Sequence, residues 1–389
     1  MFSPPNIHRN NCIDYYVEIL LGGFRRWDAI YFLHIAEFGY TYENTLAFFP
    51  LFPMVVRTVG NTLFFPLQYC MNYANVLLVS ATLINIICFI EAAKCLCDLT
   101  FRLFGSEQIA MKVIQLFCLN PASIFFSAPY SEAMFAYFAY GGMLKAEESH
   151  FGSAACFFAL SGATRSNGLL NVAFIWYKQL KNFIGIVRSF SEKEKNIVWK
   201  IFCRLVKTLL HCTWYTVIVI GPFFIYQYYA SKLFCNRFAS YRDLPVHVLN
   251  YGNTNHYKMP HTGISPWCRE YLPVSYSYVQ NKHWELGFLA YYQLKQLPNF
   301  ILALPVVFIG IASGIWFLQN NFWCCVYLGL TSPNTESDKK TDESVHRPER
   351  VGSFYSSSNF VYLIHMLSLI TFGMLYMHVQ VSTSCYKLR

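Results

Sequence analysis

The sequence predicts an all-α polytopic membrane protein with about eight membrane spans, and two observations support this. First, 55% of the 389 residues are hydrophobic, 19% are aromatic and only 13% are charged, whereas soluble domains carry about 25% charged residues. Second, the charges are clustered, so that long segments contain none: 58–90, 113–131, 208–231, 296–335 and 351–386. A bilayer core requires about 20 apolar residues in a helix. The composition therefore excludes a soluble cytosolic enzyme, a disordered protein and a nucleic-acid-binding protein.

The apolar segments differ in length and therefore predict helices of different kinds. Residues 73–90 and 208–230 are typical of single spans. The run 296–335 is longer than one span requires, so it predicts a helix followed by a short or re-entrant piece. Shorter helices persist in lipid only when they pack in a bundle or line a cavity. We predict such short, broken helices around four prolines and glycines: Pro121, Pro129, Gly141 and Gly142.

The distribution of Lys and Arg predicts the orientation. Residues 181–204 carry six of these cations, and an excess of Lys and Arg marks cytoplasmic loops. Counting spans from this loop puts Arg102 and Lys145 in the cytoplasm and residues 231–296 in the lumen. The same count puts residues 1–45 in the lumen, although residues 1–28 contain no span. Either a first span is missing from this chain, as we expect, or the predicted topology is wrong. The net charge of +9 is explained by Lys and Arg in cytoplasmic loops and requires no nucleic-acid partner.

These observations predict the following organisation. The polar stretch 332–350 is expected to be disordered and to precede a last span at about 359–380. Cys235 and Cys268 flank the long loop and could pair in an oxidising lumen. The predicted segments are a first lumenal loop with interfacial helices (1–57), a transmembrane bundle (58–230), a lumenal loop (231–296), one or more transmembrane segments (297–330), a cytoplasmic linker (331–350), and a last span with its tail (351–389).

Residues 25–40 form the first of three polar clusters beside apolar sequence. On a helix, residues spaced by three form a stripe along one face, and here the stripe is Asp28, Tyr31, His34 and Glu37. One interpretation is a solvated stripe on an amphipathic helix at the membrane interface. The other is that Asp28 is a base that accepts the proton of an attacking sugar hydroxyl. His34 and Glu37 are the next candidates for that role.

The second cluster is aromatic and spans residues 48–53. Pro50 favours an extended conformation at Phe49, so the cluster predicts a kinked segment that leads into a span. The alternative is a groove for a lipid tail.

The third cluster spans residues 161–168 and contains a single cation, Arg165. A charge in the middle of a spanning helix costs about 2.5–3.5 kcal/mol, and the orientation places Arg165 at a lumenal helix end. There its guanidinium could bind a phosphate in a bidentate manner or extend to lipid headgroups. Glu132 follows a predicted lumenal turn, where it could stabilise a helix N-terminus.

Five sequence blocks resemble the GPI mannosyltransferase family that adds the second mannose of the anchor. They occur in the order of the family and cover about residues 15–305: 26–53, 119–122 with 131–133, 163–168, 266–268, and 287–292 with 296–300. The resemblance implies a GT-C-like transmembrane helix bundle in the endoplasmic reticulum membrane. The chain departs from the family pattern in one respect, because family members begin with a span before the first block.

The resemblance further implies the reaction. Mannose would pass from dolichyl-phosphate mannose to the first mannose of the GPI precursor, in an inverting α-1,6 transfer on the lumenal side. Asp28 matches the acidic residue of the family's first lumenal loop, and we expect Arg165 to bind the donor phosphate. His34, Glu37 and Glu132 are possible supporting residues. We expect no cofactor and no metal, and the resemblance implies a small membrane partner subunit in some organisms.

Two other functions remain open on the sequence alone. Broken helices are typical of transporters, which bind substrate at such breaks, so a lipid or solute transporter or a scramblase is one alternative. A catalytically inactive membrane subunit is the other, because the first span is missing.

Overall fold

A computed structural model describes residues 2, 4, 11–190, 196–236, 244–260, 262–289, 292–293, 297–330 and 359–376. Within these ranges the regular secondary structure is entirely helical. The α-helices are α1 (Cys12–Leu21), α2 (Asp28–Phe38), α3 (Leu51–Asn61), α4 (Tyr73–Phe104), α5 (Glu107–Cys118), α6 (Glu132–Glu147), α7 (Phe151–Thr164), α8 (Val172–Ser189), α9 (Ile197–Cys235), α10 (Val246–Thr254), α11 (Ser275–Trp284), α12 (Leu297–Asn320), α13 (Phe322–Val326) and α14 (Phe360–Tyr376).

Three of the described helices contain segments long and apolar enough to cross a membrane: α4, α9 and Ala303–Asn320 of α12. Two shorter apolar helices, α7 and α14, accompany them. The all-α membrane architecture is therefore confirmed, and the number of spans stays a prediction. The run 296–335 contains α12 followed by the five-residue helix α13, as its length predicts. The stretch 332–350 lies outside the described residues.

The centre of the bundle is built from α4, α6, α7 and α9, which pack side by side in that order. The predicted break at Gly141 and Gly142 is wrong, because α6 runs without interruption from Glu132 to Glu147. The two glycines are buried and face the rings of Phe157 and Phe158 on α7. Small residues allow membrane helices to approach closely, so these glycines serve helix packing and do not end the helix.

We expect Gly142→Ala to destabilise the bundle by about 1–3 kcal/mol, the usual cost of overpacking a core. The added methyl group would overlap the ring of Phe158, which is 0% exposed and has no room to move. The measurement is the thermal inactivation midpoint in detergent. Gly152→Ala on α7 is the control, because its methyl group would meet no atom within 4 Å. Equal midpoints for the two variants would contradict this packing role.

One end of the bundle collects charged side chains from several helices. Lys178 on α8 pairs with Glu147 on α6 at 2.5 Å, and Tyr362 on α14 donates a hydrogen bond to the same carboxylate at 2.7 Å. Lys145 and Arg102 pair with Glu148 at 2.7 and 3.7 Å. Arg102 and Lys145 therefore lie at one end of the bundle, as the predicted orientation requires.

The opposite end is covered by the first loop and by the segment after α9, which pack on each other. The Tyr42 hydroxyl donates to the Val248 carbonyl at 2.7 Å, and the Glu43 amide donates to the Lys258 carbonyl at 2.9 Å. A disulfide joins Cys235 to Cys268, which confirms the pairing that the sequence allowed. Both segments therefore lie on the same side of the bundle. Which membrane face this is stays a prediction.

The aromatic cluster at residues 48–53 has a structural role. Phe49 and Phe52 are buried in the largest apolar core, and Pro50 is the N-cap of α3. With 11 residues, α3 is too short to cross a bilayer. The cluster therefore leads into a short helix, and the prediction that it leads directly into a span is wrong. The long apolar helix α4 begins only at Tyr73.

Candidate functional site

Asp28 is the first residue of α2 and lies at the end of the bundle that the two loops cover. The preceding residue, Trp27, has φ of +49°, a conformation that is unfavourable for a bulky side chain. Such strain persists only where the surroundings impose it, and it is common at functional sites. Arg25, two residues before Trp27, anchors this turn. Its side chain donates a hydrogen bond to the Asn75 side chain at 2.7 Å and pairs with Glu18 at 3.0 Å. The Asp28 carboxylate is therefore presented by a turn that is anchored to α4.

Arg165 is the C-cap of α7 and reaches α6. Its guanidinium pairs with Glu132, the first residue of α6, at 2.5 Å, and lies 3.3 Å from the Ser131 hydroxyl. The two side chains are 24% and 16% exposed, respectively, so the pair is sheltered but open on one side. The second carboxylate oxygen of Glu132 is buried without a hydrogen-bond partner among the described residues. Glu132 thus holds Arg165 in place and also lies at the N-terminus of its own helix.

Asp28 and Arg165 belong to the same electrostatic environment. Burial disfavours the charge of Arg165, but the Glu132 and Asp28 carboxylates outweigh this effect and raise the pKa of the guanidinium. Tyr130 lies between the elements. Its hydroxyl donates to the Arg26 carbonyl at 3.1 Å, and burial and the two carboxylates raise its pKa. Three charged residues that are far apart in the sequence are therefore brought together, with one cation and two anions.

His34 lies in the protein core and is not part of this cluster. It is 3% exposed, its Nε2 lies 2.7 Å from the Thr41 hydroxyl, and its ring stacks on Tyr42. Burial lowers the pKa of His34 to about 3, so the imidazole is neutral. Glu37 acts electrostatically on Tyr73 at the start of α4. The stripe is therefore not solvated at His34, and its other members are only partly exposed.

Glu43 has a structural role that the sequence did not indicate. Its carboxylate is 1% exposed and accepts hydrogen bonds from the Ser265 hydroxyl at 2.5 Å and the Trp267 indole at 3.1 Å. Lys282 lies 3.2 Å and His283 3.7 Å from the same carboxylate. All four partners come from the segment after α9, so Glu43 joins that segment to the first loop. No local pattern predicts this, because the partners lie more than 200 positions away.

Glu43 should make the stability of the protein depend on pH. Burial acts to raise its pKa, but its partners outweigh burial and lower the pKa to about 2 from the usual 4.5. The stabilisation is fully present above about pH 4.5 and is lost as the pH falls towards 2. This stabilisation contributes about 3 kcal/mol to the free energy of unfolding. Thermal inactivation midpoints measured from pH 6 to pH 2 check this. Glu43→Gln should lower the midpoint near neutral pH and flatten its acid dependence, and a parallel pH curve for this variant would contradict the assignment.

Within the described ranges, no group of three or more His, Cys, Asp and Glu side chains is arranged to hold a metal ion. The candidate site consists of the Asp28 carboxylate, the Arg165–Glu132 ion pair and the loop residues that hold them.

Comparisons with known proteins give the family. A family model described as Mannosyltransferase (PIG-V) matches residues 1–387. The protein named GPI alpha-1,6-mannosyltransferase 2 from Cricetulus griseus is 37% identical over 382 residues, which cover 98% of this chain and 74% of that protein. The Homo sapiens protein of the same name is 35% identical over 384 residues, with the same coverage. GPI mannosyltransferase 2 of Drosophila melanogaster is 34% identical over 385 residues, which cover 95% of this chain and 77% of that protein. No solved structure matches the chain significantly.

Proposed function

Because this chain belongs to the PIG-V family of mannosyltransferases, we propose that it transfers mannose from dolichyl-phosphate mannose to the first mannose of the GPI precursor. It is a membrane-embedded glycosyltransferase of GPI-anchor biosynthesis. In the proposal, the new bond is an α-1,6 linkage and the reaction takes place on the lumenal face of the endoplasmic reticulum membrane. The names of the mammalian relatives support the linkage. The resemblance of the first loop to the family supports the donor and the side.

The proposed reaction is a single displacement. The 6-hydroxyl of the acceptor attacks the anomeric carbon of the donor mannose while the carbon–oxygen bond to phosphate breaks. The electron pair of that bond leaves with the phosphate, which becomes a dolichyl phosphate monoester. Asp28 accepts the proton of the hydroxyl, a contribution of about 10²–10⁴ in rate. Inversion at the anomeric carbon follows from attack opposite the leaving group, as in inverting glycosidases.

Arg165 supplies the positive charge that the leaving group requires. Negative charge builds up on the phosphate as the bond breaks, and preorganised cations that meet developing charge provide large rate effects. An arginine fork matches phosphate geometry. Arg165 is already oriented by Glu132 at 2.5 Å, so little reorganisation is needed when the donor binds.

The observation that carries this proposal is the convergence of Asp28 and Arg165 at the end of the bundle that the loops cover. They are separated by 137 positions in the sequence. The Tyr130 hydroxyl donates to the Arg26 carbonyl at 3.1 Å, and Arg165 lies 3.3 Å from the hydroxyl of the next residue, Ser131, so the two elements meet at residues 130–131. A glycosyl transfer from a lipid phosphate needs this combination of a carboxylate base and a cation beside an apolar bundle. A small membrane partner subunit also belongs to the proposal, on the strength of the family resemblance alone.

The donor is tested by complementation and by direct transfer. The chain is expressed in cells that lack the second GPI mannosyltransferase, and surface GPI-anchored protein is measured by flow cytometry. The same membranes are then supplied with radiolabelled dolichyl-phosphate mannose or with GDP-mannose while dolichyl-phosphate mannose synthesis is blocked. We expect transfer only from the lipid donor, and transfer from GDP-mannose under the block would overturn the proposal.

The side of the reaction is tested by cysteine labelling. Tyr271 is fully exposed on the loop side, and Glu107 is exposed at the start of α5 near the opposite end. Each is replaced by cysteine in a chain whose exposed native cysteines are serine, and sealed microsomes are treated with an impermeant maleimide. Tyr271→Cys should react only after the membrane is opened, and Glu107→Cys should react in sealed vesicles. The reverse pattern would place the site in the cytoplasm.

A further inference from the structure

Helix α11, in the segment after α9, contacts the candidate site. The hydroxyl of its second residue, Tyr276, lies 2.8 Å from the hydroxyl of Ser166. Ser166 directly follows Arg165, and the charge of Arg165 acts on Tyr276. Because Ser166 is the next residue in the chain, the two hydroxyl groups lie close to Arg165. The sequence blocks of the first loop and of residues 163–168 give no indication of Tyr276.

The hydrogen atoms of this pair leave one donor free for a ligand. Two hydroxyls carry two hydrogens, and their mutual hydrogen bond uses one of them. Gln280, one turn later on α11, also interacts with the Tyr276 hydroxyl. Either hydroxyl can be the donor within the pair, and the remaining hydrogen is available to a third group. Burial raises the pKa of Tyr276, so its hydroxyl stays protonated in this chain of hydrogen bonds.

Gln227 on α9 fixes the position of Tyr276. The first backbone N–H groups of a helix have no partner within the helix, and Val274, the N-cap of α11, supplies none. The Gln227 side-chain oxygen accepts from the Ser275 amide at 2.9 Å, the Ser275 hydroxyl at 2.9 Å and the Tyr276 amide at 3.4 Å. A side chain from a distant helix therefore caps α11 and sets where Tyr276 lies.

We propose that Ser166 and Tyr276 complete the subsite for the donor phosphate around Arg165, and that Gln227 is a positioning residue for it. This inference rests on the proposed function, because the ligand is the phosphate of a dolichyl phosphate. The Ser166 hydroxyl donates to a phosphate oxygen while Tyr276 orients it. Charge-assisted hydrogen bonds of this kind are about twice as strong as neutral ones. The segment after α9 therefore takes part in donor binding as well as covering the site.

The first test measures binding without turnover. Dolichyl phosphate, the product of the proposed reaction, is titrated into the full chain in lipid nanodiscs, and its Kd is determined for Ser166→Ala and Tyr276→Phe. Loss of a hydrogen bond to a charged group predicts a Kd about tenfold higher for Ser166→Ala. Tyr276→Phe should give a smaller increase. In transfer assays, the KM for the donor should rise and the KM for the acceptor should stay constant.

Tyr278→Phe is the matched control. It lies two residues further along the same helix, and its ring faces the Lys282 ammonium at 5.2 Å, an interaction that phenylalanine preserves. We expect this variant to keep the Kd of the unmodified chain. An unchanged Kd in Ser166→Ala, or an equal increase in Tyr278→Phe, would overturn the proposal.

The second test concerns Gln227. Its side-chain nitrogen is buried without a hydrogen-bond partner among the described residues, so Gln227→Glu keeps the capping oxygen and loses no hydrogen bond. Gln227→Leu should raise the Kd for dolichyl phosphate, and Gln227→Glu should restore it. Combining Gln227→Leu with Tyr276→Phe should add little, because coupled residues are not additive. Full additivity of the two changes would contradict a positioning role.

The two proposals fail in different ways. If the unmodified chain transfers mannose but does not use dolichyl-phosphate mannose, the proposed donor is wrong. If it uses that donor and Ser166→Ala binds dolichyl phosphate normally, only the subsite inference is wrong.

Discussion

Asp28→Asn is expected to lower kcat about 10²–10⁴-fold, because asparagine has a similar shape but cannot accept the proton of the attacking hydroxyl. The turn that presents Asp28 is anchored by Arg25 and Asn75, so the variant should fold normally. The measurement is the initial rate of mannose transfer from dolichyl-phosphate mannose in purified membranes at saturating substrates. The KM for the donor should change little, because the carboxylate acts on the acceptor hydroxyl.

Two further variants make this result specific. Asp28→Glu keeps the carboxylate and should retain part of the activity, with the loss set by the displaced oxygen atoms. Asp98→Asn makes the same chemical change at an exposed position on the distal part of α4 and should have full activity. If Asp28→Asn restores GPI-anchored protein to normal surface levels, another group must be the base.

Arg165→Gln should reduce both stability and activity, and a double variant separates the two effects. The single change leaves the sheltered Glu132 carboxylate without its cation, and breaking such a pair costs about 3–5 kcal/mol. Arg165→Gln with Glu132→Gln removes both charges and should recover most of the thermal stability. Activity should stay about 10²–10³-fold below that of the unmodified chain, because no cation then meets the leaving phosphate.

The outcome decides what Arg165 does. If the double variant recovers activity together with stability, the arginine serves only to neutralise Glu132. If stability returns without activity, Arg165 acts on the substrate. Thermal inactivation and transfer rate are measured on the same preparations, so that loss of folded protein is not mistaken for loss of catalysis.

The candidate residues at positions 28, 132 and 165 could be found from the sequence for a physical reason. Ionisable side chains are expensive beside apolar segments, so those that occur there mark sites. The same reasoning overvalued periodicity in α2. Spacing by three predicted a solvated stripe along Asp28, His34 and Glu37, but α2 is covered on several sides, and His34 is buried against Thr41 and Tyr42. Periodicity gives the face of a helix and does not show what covers that face.

Glycine patterns were misread for a related reason. Gly141 and Gly142 suggest a break when only the chain around them is considered, because glycine is a poor helix former. In the bundle they lie where α6 meets the rings of α7, and the close approach of the two helices requires their lack of a side chain. The benefit arises from tertiary packing, which no local pattern contains.

The sequence by itself determined the class of protein, its long apolar helices and the residues whose charge had to be functional or paired, because all of these follow from composition and local hydropathy. Only the tertiary structure decided which residues meet. It joined Glu43 to Ser265 and Trp267 and brought Asp28 into the same electrostatic environment as Arg165. These contacts connect residues 137 to 224 positions apart, and their energy exists only after the helices have packed.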